Sequence, residues 1–259
     1  MATKPSAPKT TLGVDLTSLI GQPVTEFLAR FCRSRAEVTR LRFVTYTPEP
    51  KLSERLGTLL TQREEELRDQ AVAICHDSGI PFWDALFGIC MKRDKVPDQF
   101  LEAAAAHSPI PPTSVFDLVP EEVSARKIDD IISQLSDRHG LVVSSKILLK
   151  TGEFAHLPML DFRCPCSKGN ALAIEKILAL LGQKSGLLVE SGRSYHFYGI
   201  ELLSTSEWTS FMAHALLFAP IVDPRYIAHR IADGECRLKI AGSKDAGVPI
   251  IANVFTNLN

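Results

Sequence analysis

Three prolines fall within the run Ser108-Pro109-Ile110-Pro111-Pro112-Thr113-Ser114. Proline lacks a backbone donor and fixes φ, so this run can be neither helix nor central strand. It divides the chain and is the candidate domain boundary. Residues 1–11 read as a flexible tail, 12–113 as a mainly helical N-terminal region, and 114–259 as an α/β core.

Before the run, Gly21-Gln22-Pro23 breaks the pattern, and a helix is expected to start near Pro23. A strand is expected over 41–46. The longest helical signal spans 53–76, with Ser53 as N-cap, Leu56, Leu59, Leu60, Leu67, Ala71 and Ile74 in its apolar stripe, and Gly79 as its stop. Trp83 and Phe87 read as packing residues of a further helix. Nothing in this region has a catalytic pattern.

After the run, strands and helices alternate. Helices are expected over 121–138, 170–181 (capped by Asn170), 207–218 (capped by Ser206) and 224–231, where Asp223 is the N-cap and Pro224 the first residue. Strands are expected from 141, over 157–163 and from 187. Asp233-Gly234 reads as a hairpin-type turn, and 237–240 and 249–255 as closing strands paired with each other. The pattern implies a sheet with helices packed on one face.

The total charge of −1 argues against a uniformly basic nucleic-acid coat and leaves room for a local basic groove. No apolar run approaches the roughly 18–20 residues that span a bilayer. The first residues carry no apolar stretch of the kind a secretory signal needs, so a cytoplasmic protein with reduced cysteines is expected. Of the six cysteines only Cys164-Pro165-Cys166 forms a close pair. A zinc site wants four ligands, usually from two such pairs, so structural thiols are expected even with His156 nearby.

Three polar spots carry the candidate chemistry. In Leu160-Asp161-Phe162-Arg163, strand alternation puts Asp161 and Arg163 on one face. In Ser191-Gly192-Arg193-Ser194-Tyr195-His196, it puts Ser194 and His196 together, a hydroxyl and an imidazole that both donate to phosphate oxygens. Val222-Asp223 precedes a basic stretch with Arg225, His229, Arg230, Arg237, Lys239, Ser243 and Lys244. Each also has a plain structural explanation: an internal ion pair, a partly buried strand histidine, a helix cap, a solvated basic face.

The order of the three spots resembles the archaeo-eukaryotic primase superfamily, over roughly residues 140 to 255. In that family a strand with two alternating acids is followed by a strand with a small residue-x-His motif, then a hydrophobic-Asp step and a basic stretch. Leu160-Asp161, Ser191 to His196, and Val222-Asp223 stand at these positions. The resemblance implies an α+β fold, a primase-like core with an RRM-like antiparallel or mixed sheet and helices packed on it, preceded by the helical region. It implies a nucleotidyltransferase in which Asp161 and Asp223 are catalytic and ligate Mg or Mn. Arg163, Ser194, His196, Arg230 and Lys239 would bind the nucleoside triphosphate or the phosphates of DNA or RNA. The helical N-terminal region is then a candidate surface for a protein partner. Arg163 stands where the family has its second acid, which removes one ligand of a two-metal centre. The alternative it opens is a catalytically degenerate primase-like module that binds nucleotide or nucleic acid, as a sensor or partner subunit in replication, repair or defence.

Overall fold

The computed structural model describes residues 16–47, 60–93, 95–105, 113–136, 139–242 and 247–256. The fold is α+β and divides into two compact units, Met1–Pro48 with Pro111–Asn259, and Glu49–Ile110. The boundary expected at the proline run is thus not the only one. The strand β1 (Val38–Tyr46) lies between β2 (Ser114–Leu118) and β3 (Gly140–Leu149), pairing Phe43 with Phe116 on one side and Val143 on the other. A strand cannot leave its backbone groups unpaired, and the partners of β1 come from beyond the prolines. The first helix, α1 (Val24–Ser34), belongs to the same unit and buries Phe27, Leu28, Phe31 and Cys32 at helical spacing.

The smaller unit holds α2 (Gln62–Ser78), α3 (Phe82–Met91) and α4 (Asp98–Ala105) around Leu67, Ala71, Leu86, Cys90 and Phe100. Thr61 caps α2 in a reciprocal box with Glu64, and Gly79 ends it at φ +68°. The expected cap Ser53 lies outside the described residues. The tail, 1–11, does too.

The larger unit contains two antiparallel sheets. One runs β2-β1-β3-β4-β8, with β4 at Phe154–His156, β8 at Leu203–Ser204, and β9 (Arg237–Ala241) also on β3. The other runs β10-β6-β7-β5, from Ile250–Phe255, Gly186–Glu190, Ser194–Gly199 and Met159–Pro165. The helices of this unit after α1 are α5 (Ala125–Gln134), α6 (Lys168–Leu180), α7 (Thr205–Ala215) and α8 (Pro224–Asp233).

The expected pairing of the last two strands is corrected. Leu238 of β9 pairs with Val143, whereas Val254 of β10 pairs with Leu187 in the other sheet. Asp233-Gly234 is no hairpin turn: Gly234, at φ +70°, is the left-handed cap of α8. Tight packing at β6 needs its first glycine, because a Cβ on Gly186 would lie 2.7 Å from the Tyr198 carbonyl.

Two helix starts also move. Ser167, not Asn170, caps α6, its hydroxyl accepting from the Asn170 amide at 3.1 Å. Ser204, not Ser206, caps α7 in a box with Glu207. Ser204→Ala is expected to cost about 1 kcal/mol of unfolding free energy, whereas Ser206→Ala is expected to cost little. Denaturant unfolding of the two variants checks this, and equal losses would contradict it.

Candidate functional site

The site begins where β5 changes partners. Asp161 of β5 pairs with His196 of β7, but the next paired position is Pro165 with Ser194. Four steps on β5 therefore run against two on β7. The extra chain turns to the segment before α8: the Arg163 N–H donates to the Ile221 carbonyl at 2.8 Å, the Asp223 N–H donates to the Asp161 carbonyl at 3.3 Å, and Phe162 bridges to Val222. This places Asp223, distant in sequence, beside Asp161.

Alternation along β5 holds as expected. Leu160 and Phe162 are buried in the core, while Asp161 and Arg163 face outward. The Arg163 Nε lies 3.7 Å from Asp223 Oδ2. The other carboxylate oxygen, Oδ1, accepts from the Arg225 and Tyr226 amides at 2.9 and 3.2 Å, the first turn of α8. Asp223 is thus a helix cap and a member of the site at once, because a carboxylate has two oxygens to give.

His196 Nε2 lies 3.7 Å from Asp161 Oδ1, and its side chain is 8% exposed. Its Nδ1 is buried and has no hydrogen-bond partner among the described residues. Burial and the nearby Lys239 ammonium lower the His196 pKa to about 4, so the ring is neutral at pH 7. Lys239, on β9, is itself pushed down by burial. Burial and the Asp223 charge raise Asp161 to about 7, against the opposing pull of Arg163. At neutral pH this carboxyl is therefore close to half protonated.

Ser194 opens β7 after a turn in which the Ser191 N–H donates to the Ser194 carbonyl at 2.9 Å and Gly192 takes φ +83°. That left-handed angle suits glycine alone at low cost. The turn exposes Arg193, whose carbonyl accepts from the Cys166 N–H at 3.1 Å. Asp161, Arg163, Cys166, Arg193 and Ser194, with Phe162 and Pro165, line an open groove of about 640 Å³.

The structure gathers Asp161, Arg163, Ser194, His196, Asp223 and Lys239 around one place. Arg230 lies on α8, paired with Asp233 at 3.0 Å and 14% exposed, with its guanidinium 5.7 Å from the Tyr226 ring. Arg237 is paired with Glu235 at 2.6 Å. Ser243 and Lys244 lie outside the described residues. Glu201 follows Gly199, at the end of β7 away from Ser194. His156 is fully buried and stacks on Trp208 at 4.6 Å, so it is spent in the core. All six cysteines are free thiols.

A two-ion centre does not fit this residue set. Among the described residues no three of His, Cys, Asp and Glu are grouped to hold a metal ion. The position of a second acid on β5 carries a guanidinium held against Asp223. Arg193, the arginine beside the Ser194 and His196 pair in the sequence motif, is presented to the groove by the turn at Gly192. The residue the sequence did not single out is Tyr198, two residues beyond His196, whose buried hydroxyl has no hydrogen-bond partner among the described residues and whose titration is pushed up by burial and by Asp161.

The antiparallel sheets, the acid–histidine strand pair and the third motif leading into α8 are those of a primase-like protein. The archaeo-eukaryotic primase 1D-like family matches residues 120–250, and the chain belongs to it. The match covers every site residue named above and begins after β2. No curated protein and no solved structure matches the chain. No helix among the described residues is long and apolar enough to cross a membrane.

Proposed function

We propose that the chain is a nucleotide-binding member of the primase superfamily, acting on nucleic acid, in which phosphate binding has been kept and two-metal polymerisation has not. The observation that carries this reading is Arg163 beside Asp223 at 3.7 Å, at the position of the second acid. A cation fixed there attracts phosphate oxygens and repels a divalent ion. Ser194 lines the same groove with a hydroxyl donor, and His196 stands buried against Asp161 behind it. Family membership supports nucleotide or nucleic acid as the ligand class.

A second reading has its own support. Asp161 and Asp223 lie close enough for one charge to raise the other's pKa, as carboxylates gathered for a hard cation do. One Mg or Mn ion held by these two and completed by ligand phosphate and water is a common arrangement. On that reading the protein transfers a nucleotidyl group.

Thermal unfolding with nucleoside triphosphates, with and without Mn, tests the shared step. A ligand at about 100 times its Kd adds roughly 2.7 kcal/mol, a rise of about 5–10 °C for a chain of this size. The rise is expected in the wild type and is expected to vanish in His196→Ala. Wild type without any rise would remove the nucleotide-binding reading. Primer extension then separates the two readings: synthesis lost in Asp161→Ala favours the enzyme, and no synthesis by the wild type favours the binding module.

A further inference from the structure

We propose that the groove beside Ser194 holds a phosphate group between the guanidinium groups of Arg163 and Arg193, without a divalent cation. This rests on the nucleotide-binding reading above and adds the chemistry by which the phosphate is held.

Arg163 reaches Asp223 through Nε at 3.7 Å, and its terminal nitrogens make no hydrogen bond among the described residues. A guanidinium is a planar fork with five N–H donors. One edge is steadied by the carboxylate, and the other is left to a ligand in the groove that Arg163 lines. Its side chain is 34% exposed, enough to meet solute without moving.

Arg193 lines the same groove from the β6–β7 turn. Its main chain is pinned by the Cys166 amide and its neighbour Gly192 by the turn geometry, so the side chain leaves a fixed backbone. Ser194 follows it with a hydroxyl. Two forks and a hydroxyl around an open concavity suit the tetrahedral oxygens of a phosphate, which bind guanidinium groups in bidentate fashion.

Asp161 lines the same groove, on the same face of β5 as Arg163. A divalent ion shared by Asp161 and Asp223 would have to sit beside the Arg163 charge. The clamp and the ion therefore compete for one place.

The shared chemistry is a terminal phosphate, which a nucleoside triphosphate or a 5′-phosphorylated strand can both supply. Binding is measured in EDTA by calorimetry with inorganic triphosphate, ATP, and one oligonucleotide with either a 5′-phosphate or a 5′-hydroxyl. Cation-free binding is expected, with Kd changed less than threefold by Mn. Arg163→Gln and Arg193→Gln are each expected to weaken it at least tenfold. Preference for the phosphorylated strand over its hydroxyl form would assign the strand end as the source, and ATP binding alone would assign the nucleotide. Binding that appears only with Mn and survives Arg163→Gln would overturn the clamp while leaving the nucleotide-binding reading in place. No binding of any probe, with or without Mn, would overturn both.

Discussion

Arg163→Asp is expected to raise the affinity for Mn at least a hundredfold at pH 8. The substitution removes a positive charge 3.7 Å from Asp223 and puts a third carboxylate on the same face as Asp161. Two unit charges about 4 Å apart interact by roughly 4 kcal/mol at an effective dielectric of 20. Arg163 is 34% exposed, so screening takes part of that. A hundredfold is about 2.7 kcal/mol, well inside what remains.

The pH matters to the same measurement. Asp161 has its pKa raised from 3.8 to about 7, so at pH 8 it is mostly ionised and at pH 6 mostly protonated. An ion that needs the carboxylate must displace that proton, so affinity is expected to fall by about tenfold per pH unit below 7. Calorimetric titration with Mn at pH 8 and pH 6 reads both effects. An affinity unchanged by the substitution would mean that the two carboxylates do not form a cation site, and the single-ion reading would go with it.

What the sequence disclosed about this site was local, and what it withheld was not. Alternation told which side chains of β5 and β7 share a face, because a period of two is written into consecutive residues. The capping role of Asp223 was equally legible, since Asp-Pro at a helix start is a local signature. That Asp223 stands beside Asp161 depends on β5 leaving β7 and bonding to residues about sixty positions later. No local pattern encodes that exchange. Only the resemblance of motif order brought the two together beforehand.

The same limit explains the strands. The segments that became β9 and β10 both read as strands, but the reading carried no partner, and nearness in the chain suggested the wrong one. β1 likewise lay on the far side of the proline run from its partners. The helix caps were missed for a smaller reason. Ser204, Thr205 and Ser206 can all cap, and Glu207 selects Ser204 because a box needs its acid three residues on.

His156 is expected to be the main source of instability in acid, and His156→Phe to flatten that limb of the stability curve. The ring is fully buried, stacks on Trp208 at 4.6 Å, and lies between the Ser145 and Thr205 hydroxyls at 3.4 and 3.5 Å. Burial and the Lys146 charge lower its pKa from 6.5 to about 4. The folded state thus holds this histidine neutral where the unfolded chain would protonate it. Its contribution is complete above pH 6.5 and lost as pH falls toward 4, about 3 kcal/mol in all at 1.36 kcal/mol per unit. His196 is lowered to about 4 and carries the same sign. Its neighbour Asp161 carries the opposite one: with a raised pKa, the folded state takes up a proton before the unfolded chain does, and gains stability as pH falls from about 7 toward 3.8. The two groups at the site therefore largely offset each other, and the loss at His156 adds to what remains. Phenylalanine keeps the stacking surface and has no proton to bind. Denaturant unfolding at pH 7 and at pH 4 is expected to show the wild type losing about 3 kcal/mol more than His156→Phe between the two. Parallel losses would show that the core histidine is protonated at little cost, and would place the acid limb in the paired carboxylates of the surface instead.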